Sequence, residues 1–294
     1  MTSPNSQDVA DYSVWNLCYA KADMPKDFFG GAGIMSNQGV ETISMNFTLI
    51  KGGFPGEEHL YLIDCGFHAP VWFERYPFYD WEDPKTVLAK VGVSPEDIEA
   101  IFVTHMHFDH INQMDAFPNA RIFLQRKEYN GWAMATNLPS RYKPGDVPWI
   151  YSSFELHDML AMQQARSDGR VTLLDGVCEV APGIISQLAE NCHTFGSCLW
   201  HITTCNGLFI AAGDTVYWYA NMEDMWPPGY GQGDTFALFL LFDSIKQSVG
   251  GDLSRIIPGH DHKIYEKHPA WTAGKNPVAE INLSADQKSL KPKE

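Results

Sequence analysis

The chain has 294 residues, 45% hydrophobic and 19% charged, an ordinary globular balance that suits one large α/β domain or two small ones. Its formal net charge of −15 argues against nucleic acid and anionic membrane as partners. No stretch approaches transmembrane length, and the start Met-Thr-Ser-Pro-Asn-Ser-Gln-Asp lacks the basic and apolar regions of an export signal.

Residues 1–10 are polar, and strands are expected over Tyr12 to Tyr19 and Ile43 to Lys51. Between them, 23–38 mixes Met24, Phe28, Phe29 and Met35 with Gly30, Gly31 and Gly33, a loop able to cover a pocket. Gly52 to Gly56 is a turn. Asp83-Pro84 starts a helix through Val91, with proline at its first position, and Ser94-Pro95 is a second helix start. Strands and helices then alternate to His260, which argues for layered α/β packing. Residues 132–155 hold Trp132, Met134, Tyr142, Trp149 and Tyr151 among three prolines, a second candidate cover, although core packing or a subunit contact explains such aromatics equally well. Ala181-Pro182-Gly183 is a turn, and Trp226 to Gly233 is a third loop that could wall a pocket. Thr235 to Val249 reads as a long apolar helix stopped by Gly250-Gly251. The expected organisation is one domain over 1–294: a core at 43–265, an N-terminal strand and lid loop at 11–42, and a solvated tail at 283–294. Six cysteines without a C-x-x-C pair read as free thiols in a reducing cytoplasm.

The chemistry concentrates at residues 104–110, Thr-His-Met-His-Phe-Asp-His, directly after the apolar run Ile101-Phe102-Val103. A buried strand would deliver His105, His107, Asp109 and His110 into one short turn. Imidazole nitrogen with carboxylate oxygen suits Zn²⁺, Mn²⁺, Fe²⁺ or Co²⁺ better than Ca²⁺. Downstream, His193 lies in a small-residue turn, Asp214 follows Leu208 to Gly213, and His260 follows Ile256 to Gly259; upstream, Asp64 ends Leu60 to Ile63. A single acid or histidine at a strand end is more often a cap. Several together mark the functional end of a layered α/β protein.

H-x-H-x-D-H, a His-Thr-x-Gly-Ser turn, Gly-Asp and Gly-His, in this order, resemble the metallo-β-lactamase superfamily over about Ile43 to Tyr265. The resemblance implies a four-layer αββα sandwich and two divalent cations, Zn²⁺ first, with Mn²⁺, Fe²⁺ or Co²⁺ as alternatives. One cation would take His105, His107 and His193, the other Asp109, His110 and His260, with Asp214 between them. Asp64 would orient a ligand histidine. Asp214-Thr215-Val216-Tyr217 is similar to the lactonase branch, which includes N-acyl-homoserine lactone lactonases and pyridoxolactonase, and in which such a tyrosine steadies an oxyanion. Tyr217 is the matching residue; the other explanation is one more aromatic beside Trp218 and Tyr219. The chain departs from the branch at Ile111-Asn112-Gln113 after the motif and at Cys192 before the third histidine. Both changes alter walls, not ligands.

The implied activity is a metal-dependent hydrolase. A hydroxide bridging two metals would open a small lactone carrying an apolar or aromatic part, with Tyr217 and Asp109 as catalytic groups. Phe28, Phe29, Met35, Trp149, Tyr219 and Trp226 are the candidate pocket residues. The partner is a small-molecule substrate, with oligomeric state open. An aryl ether, ester or thioester could be the electrophile on the same site. From other classes, a metal-dependent redox protein of this fold, or a non-catalytic binding module built on it, competes; the intact ligand set weighs against the latter.

Overall fold

The computed structural model of the chain describes residues 9–30 and 38–291. Its strands run β1 (Asp11–Pro25), β2 (Val40–Gly53), β3 (His59–Ile63), β4 (Phe78–Tyr79), β5 (Ala100–Phe102), β6 (Arg121–Gln125) and β7 (Val171–Leu174), then β8 (Cys178–Ala181), β9 (Ile184–Glu190), β10 (Gly196–Thr204), β11 (Gly207–Gly213) and β12 (Ile256–Pro258). A final hairpin, β13 (Ala270–Ala273) and β14 (Asn276–Asn282), follows. The first sheet has the order β13-β14-β1-β2-β3-β5-β6-β7, with β4 on β1; the second is β12-β11-β10-β9-β8.

Period-two alternation builds the layers. In β10, Cys198, Trp200 and Ile202 point between the sheets, where they meet Tyr12, Val14, Ile50, Tyr61 and Phe102 of the first sheet. Leu199 points the other way, and with Ile210, Ala212 and Ile256 it meets Leu238, Phe242 and Ile245 of the helix Thr235–Ser248. On the far face of the first sheet, Trp15, Leu17, Leu62, Ile101 and Ile122 pack against Trp72, Leu88, Trp132, Met159 and Met162, carried on or near the helices of that side. A helical layer therefore covers each outer face: the four-layer αββα sandwich. Between β11 and β12, and among β3, β5, β6 and β7, the strands are parallel. Their C-terminal ends open on one side of the molecule.

Several elements differ from expectation. Ser94-Pro95 starts only one 3₁₀ turn, Pro95–Asp97, because Ala100 must already enter β5. The first strand runs on to Pro25, and Lys26–Phe29 forms a single helical turn where a loop was expected. Met35 lies outside the described residues. The β13–β14 hairpin was not anticipated: Pro277 disguises it, yet Pro277 pairs with Thr272 of the edge strand. Through β14 the C-terminal part of the chain lies beside β1. Asp83 caps its helix by accepting from the Lys85 amide at 2.9 Å.

Trp200 crosses between the sheets, fully buried, and its indole N–H donates to the Val103 carbonyl at 3.1 Å. Trp200→Ala removes that packing and leaves the carbonyl unpaired. The expected loss is about 3–5 kcal/mol of unfolding free energy, measured by urea titration; a loss under about 1 kcal/mol would show that the intersheet core does not depend on this residue.

Candidate metal centre

The end of β5 carries the H-x-H-x-D-H turn. The Val103 amide is still held by the Phe123 carbonyl, and the Thr104 carbonyl accepts from the Cys198 amide of β10 at 2.7 Å. The turn is thus tied to both sheets. From the second sheet come His193 between β9 and β10, Asp214 after β11, and His260 after β12. The seven side chains meet as two buried groups, His105, His107, His193 and Asp214 in one, and Asp109, His110 and His260 in the other.

Asp214 stands between the groups. Its Oδ2 lies 3.6 Å from His105 Nε2 and 3.5 Å from His193 Nε2, while its Oδ1 lies 3.3 Å from His110 Nε2 and 3.1 Å from His260 Nε2. Asp109 Oδ2 is 3.4 Å from His110 Nε2 and 3.3 Å from His260 Nε2. Two ligand atoms each ~2.1 Å from one tetrahedral cation sit ~3.4 Å apart, so these separations match shared coordination. Among the buried polar atoms with no hydrogen-bond partner, His105 Nε2, His110 Nε2 and Asp214 Oδ1 cluster at this one point. The donor set, five imidazoles and two carboxylates, fits a pair of borderline divalent cations.

The outward nitrogens of His105, His110 and His260 have partners inside the protein, whereas His193 Nδ1 has none. His110 Nδ1 donates to Asp64 Oδ2 at 2.7 Å, and His260 Nδ1 donates to the Ser44 carbonyl at 3.0 Å. His105 Nδ1 lies 3.1 Å from the Thr104 hydroxyl, which itself donates to Asp64 at 2.8 Å. Asp64 takes a left-handed backbone (φ +61°) to aim its carboxylate this way, and the Thr104 amide holds its other oxygen at 2.8 Å. Burial, helped by the His110 and His107 rings, holds His105 well below its usual pKa. Burial likewise brings His107 down to about 4 and His193 to about 3. These three are neutral at pH 7, the form that binds cations. Burial opposes charge on His110 and His260 too, but the surrounding carboxylates outweigh it and raise both.

Glu128, a buried acid that the sequence reading passed over, ties the first group together. It accepts from the Met106 amide (2.9 Å), the Trp132 indole (2.8 Å), the Thr194 hydroxyl (2.7 Å) and the Gly196 amide (2.7 Å). Met106 separates His105 from His107, and Thr194 follows His193. One carboxylate therefore holds both ligand-bearing turns. Its neighbours Arg126, Lys127 and Asn130 make it look like one more surface charge, so the sequence carried no signal for it.

A narrow pocket of about 40 Å³ opens onto the centre. His107, Asp109, Asp214, His260 and Tyr217 floor it, and Phe28, Phe29, Phe108, Tyr76, Phe78, Met45 and Tyr230 wall it. The Phe28 and Tyr230 rings stack at 4.7 Å. Tyr217 is buried, its ring 5.3 Å from His193 and 5.5 Å from His260. Burial, then the Asp214 carboxylate, push its phenol well above the usual range, so it keeps its proton. Phe28 and Phe29 line the pocket as expected, but three other candidates do not. Trp149 is 63% exposed, in a 3₁₀ turn that turns it outward after Pro148. Tyr219, two residues beyond Tyr217, points between the sheets, where its hydroxyl donates to the Ile256 carbonyl at 3.1 Å. Trp226 lines a separate hollow with Lys26, Glu41 and Lys263. Tyr76, Phe78 and Phe108 went unrecognised as walls, Phe108 inside the motif itself, whereas Tyr230 comes from the 226–233 loop expected to wall a pocket. Cys192 is buried and belongs to neither ligand group. A roomier cleft between Gly52–Glu58 and Ser284–Gln287 contains none of these residues.

Residues 44–260 match the family model described as the metallo-beta-lactamase superfamily. An N-acyl homoserine lactonase of Bacillus thuringiensis is 44% identical over 176 residues, covering 60% of this chain and 60% of that protein. The match therefore spans less than two thirds of the relative's length. A solved quorum-quenching N-acyl homoserine lactone lactonase superposes with a TM-score of 0.66 at 20% identity, covering 87% of this chain and 95% of that one. An N-acyl homoserine lactone hydrolase, solved with the product N-hexanoyl-L-homoserine at its catalytic metal center, gives 0.66 at 19% identity, covering 88% and 96%. At these identities the structures establish a shared fold.

Glu128→Gln keeps the volume but turns an acceptor into a donor facing two donors. The expected cost is about 1–3 kcal/mol in urea unfolding, with weaker retention of one cation under chelator. Unchanged stability and unchanged cation retention would remove Glu128 from the architecture of the centre.

Proposed function

Because the chain belongs to the metallo-beta-lactamase superfamily, we propose that it is a metal-dependent hydrolase opening a small lactone that carries an apolar or aromatic part. The observation that carries this reading is Asp214 with one oxygen toward each histidine group, beside a protonated phenol at Tyr217. The similarity to an N-acyl homoserine lactonase of Bacillus thuringiensis supports the lactone.

His105, His107 and His193 would hold one divalent cation and Asp109, His110 and His260 a second, with Asp214 beside both groups, and the cations would supply Lewis acidity and a water ionised near neutral pH. The remaining work belongs to the side chains. Tyr217 donates a hydrogen bond to the lactone carbonyl oxygen as negative charge grows on it, an effect commonly worth ~3 kcal/mol. Asp109 borders the pocket and carries a proton from the attacking water to the ring oxygen as the acyl C–O bond breaks. The product is a hydroxy acid. Phe28, Phe29, Phe108 and Tyr230 exclude water and receive the apolar part of the substrate. The stacked Phe28–Tyr230 pair favours a flat group, which also keeps an activated aryl ether in view as the competing electrophile.

Elemental analysis of active protein is expected to give two cations per chain; one would defeat the binuclear reading. Tyr217→Phe should lower kcat ~10²-fold with cation content unchanged; an unaltered kcat assigns Tyr217 to packing. A panel of lactones, thioesters and aryl ethers should give chelator-sensitive ring opening of a lactone. Cleavage of an aryl ether or thioester with no lactone turnover would overturn the lactonase assignment and leave the cation centre standing.

A further inference from the structure

His107 is turned differently from the other four histidines. His105, His110, His193 and His260 approach Asp214 through Nε2. His107 instead presents Nδ1, which lies 3.2 Å from His193 Nε2. Its Nε2 points away from the centre on a ring only 2% exposed, and so needs a partner inside the protein. That partner is Gln232, whose Oε1 lies 2.7 Å away. An amide oxygen only accepts, so the proton sits on His107 Nε2 and the Nδ1 lone pair faces the centre.

The loop bearing Gln232 is fastened to the turn of another ligand. The Gln232 and Gly233 amides donate to the His193 carbonyl at 2.9 and 3.0 Å. A Cβ on Gly233 would come within 2.0 Å of the Cys192 carbonyl oxygen, so this approach requires glycine. Two residues before Gln232, Tyr230 walls the pocket, and its hydroxyl is 2.6 Å from Ser152 and 2.8 Å from Ser153. The loop is therefore held at both ends, and Gln232 has little freedom to move off His107.

We propose that Gln232 is a positioning residue that sets the ring orientation and tautomer of His107, and thereby the affinity of the His105–His107–His193 group for its cation. The inference rests on the metal-centre reading above. Partners of this kind commonly change cation affinity 10–100-fold when removed.

Chelator competition with Zn²⁺ and Co²⁺, elemental analysis, and the absorption spectrum of the Co²⁺-loaded protein together test it. Gln232→Asn keeps an amide but withdraws it by one methylene. One of the two cations should then bind 10–100-fold more weakly, with a changed Co²⁺ spectrum and the other cation unaffected. Gln232→Glu offers a carboxylate to the same N–H and should tighten that cation. A residue that merely filled space would let both variants bind as the wild type does, and that result overturns the proposal. If Gln232→Asn fails to fold, Gln232→Glu decides alone: tighter binding of one cation supports it, equal or weaker binding overturns it. A wild-type chain that takes up neither cation would instead sink the metal-centre reading itself.

Discussion

A single buried carboxylate organises the site. Asp214 has one oxygen toward His105 and His193 and the other toward His110 and His260, so every other ligand is arranged around it. Burial makes an anion costly at this position, but His260, His110 and His105 outweigh that cost and hold its carboxyl well below the usual range. Backbone approach makes the position reachable. Gly213, at φ +49°, lies so close to Thr104 that a Cβ would come within 2.7 Å of its side chain. A Cβ on Gly259 would come within 2.3 Å of Asp214 itself. The Gly-Asp and Gly-His pairs are thus steric conditions for bringing β11, β12 and the end of β5 onto one point.

Around that point lies a shell of buried partners, each fixing one direction. Asp64 and Thr104 hold His110 and His105, the Ser44 carbonyl holds His260, and Glu128 joins the two ligand turns. Rigid placement of this kind matters because a donor set misplaced by about 1 Å loses both cation affinity and catalytic geometry. The pocket above is different in character. Its walls are aromatic and come from separate parts of the chain: Phe28 and Phe29 after β1, Tyr76 and Phe78 near β4, Phe108 within the motif and Tyr230 before the long helix.

The sequence made the ligand types legible because six consecutive positions held four of them, and because apolar runs ending on Asp64, Asp214 and His260 follow the habit of parallel strands. The layers were readable because strands and helices alternate along the chain; which side each residue of β10 and β11 takes came only with the structure. Long-range partnership was not readable. Nothing near Glu128 or Gln232 in the sequence states that one reaches Met106 and Thr194 and the other His107, since those contacts exist only once two sheets have packed. The direction of an aromatic side chain was equally hidden. Trp149 and Tyr219 look as suitable for a pocket as Phe29 does, yet one faces solvent and the other the intersheet core. The β13–β14 hairpin escaped because Pro277 is tolerated beside an edge strand, which only the sheet order reveals.

The two sheets contribute unequally but jointly to the centre: four of its residues follow β5, and three follow strands of the second sheet. Any cation seated there would be a cross-link between the halves of the sandwich, made at its rim. Ligation of the folded state alone adds RT ln(1 + [cation]/Kd), about 2.7 kcal/mol for each site at a hundredfold excess over Kd. The resistance of this chain to unfolding is therefore tied to the cation supply around it. Scarcity would loosen the rim as well as remove the chemistry, opening the chain to proteolysis.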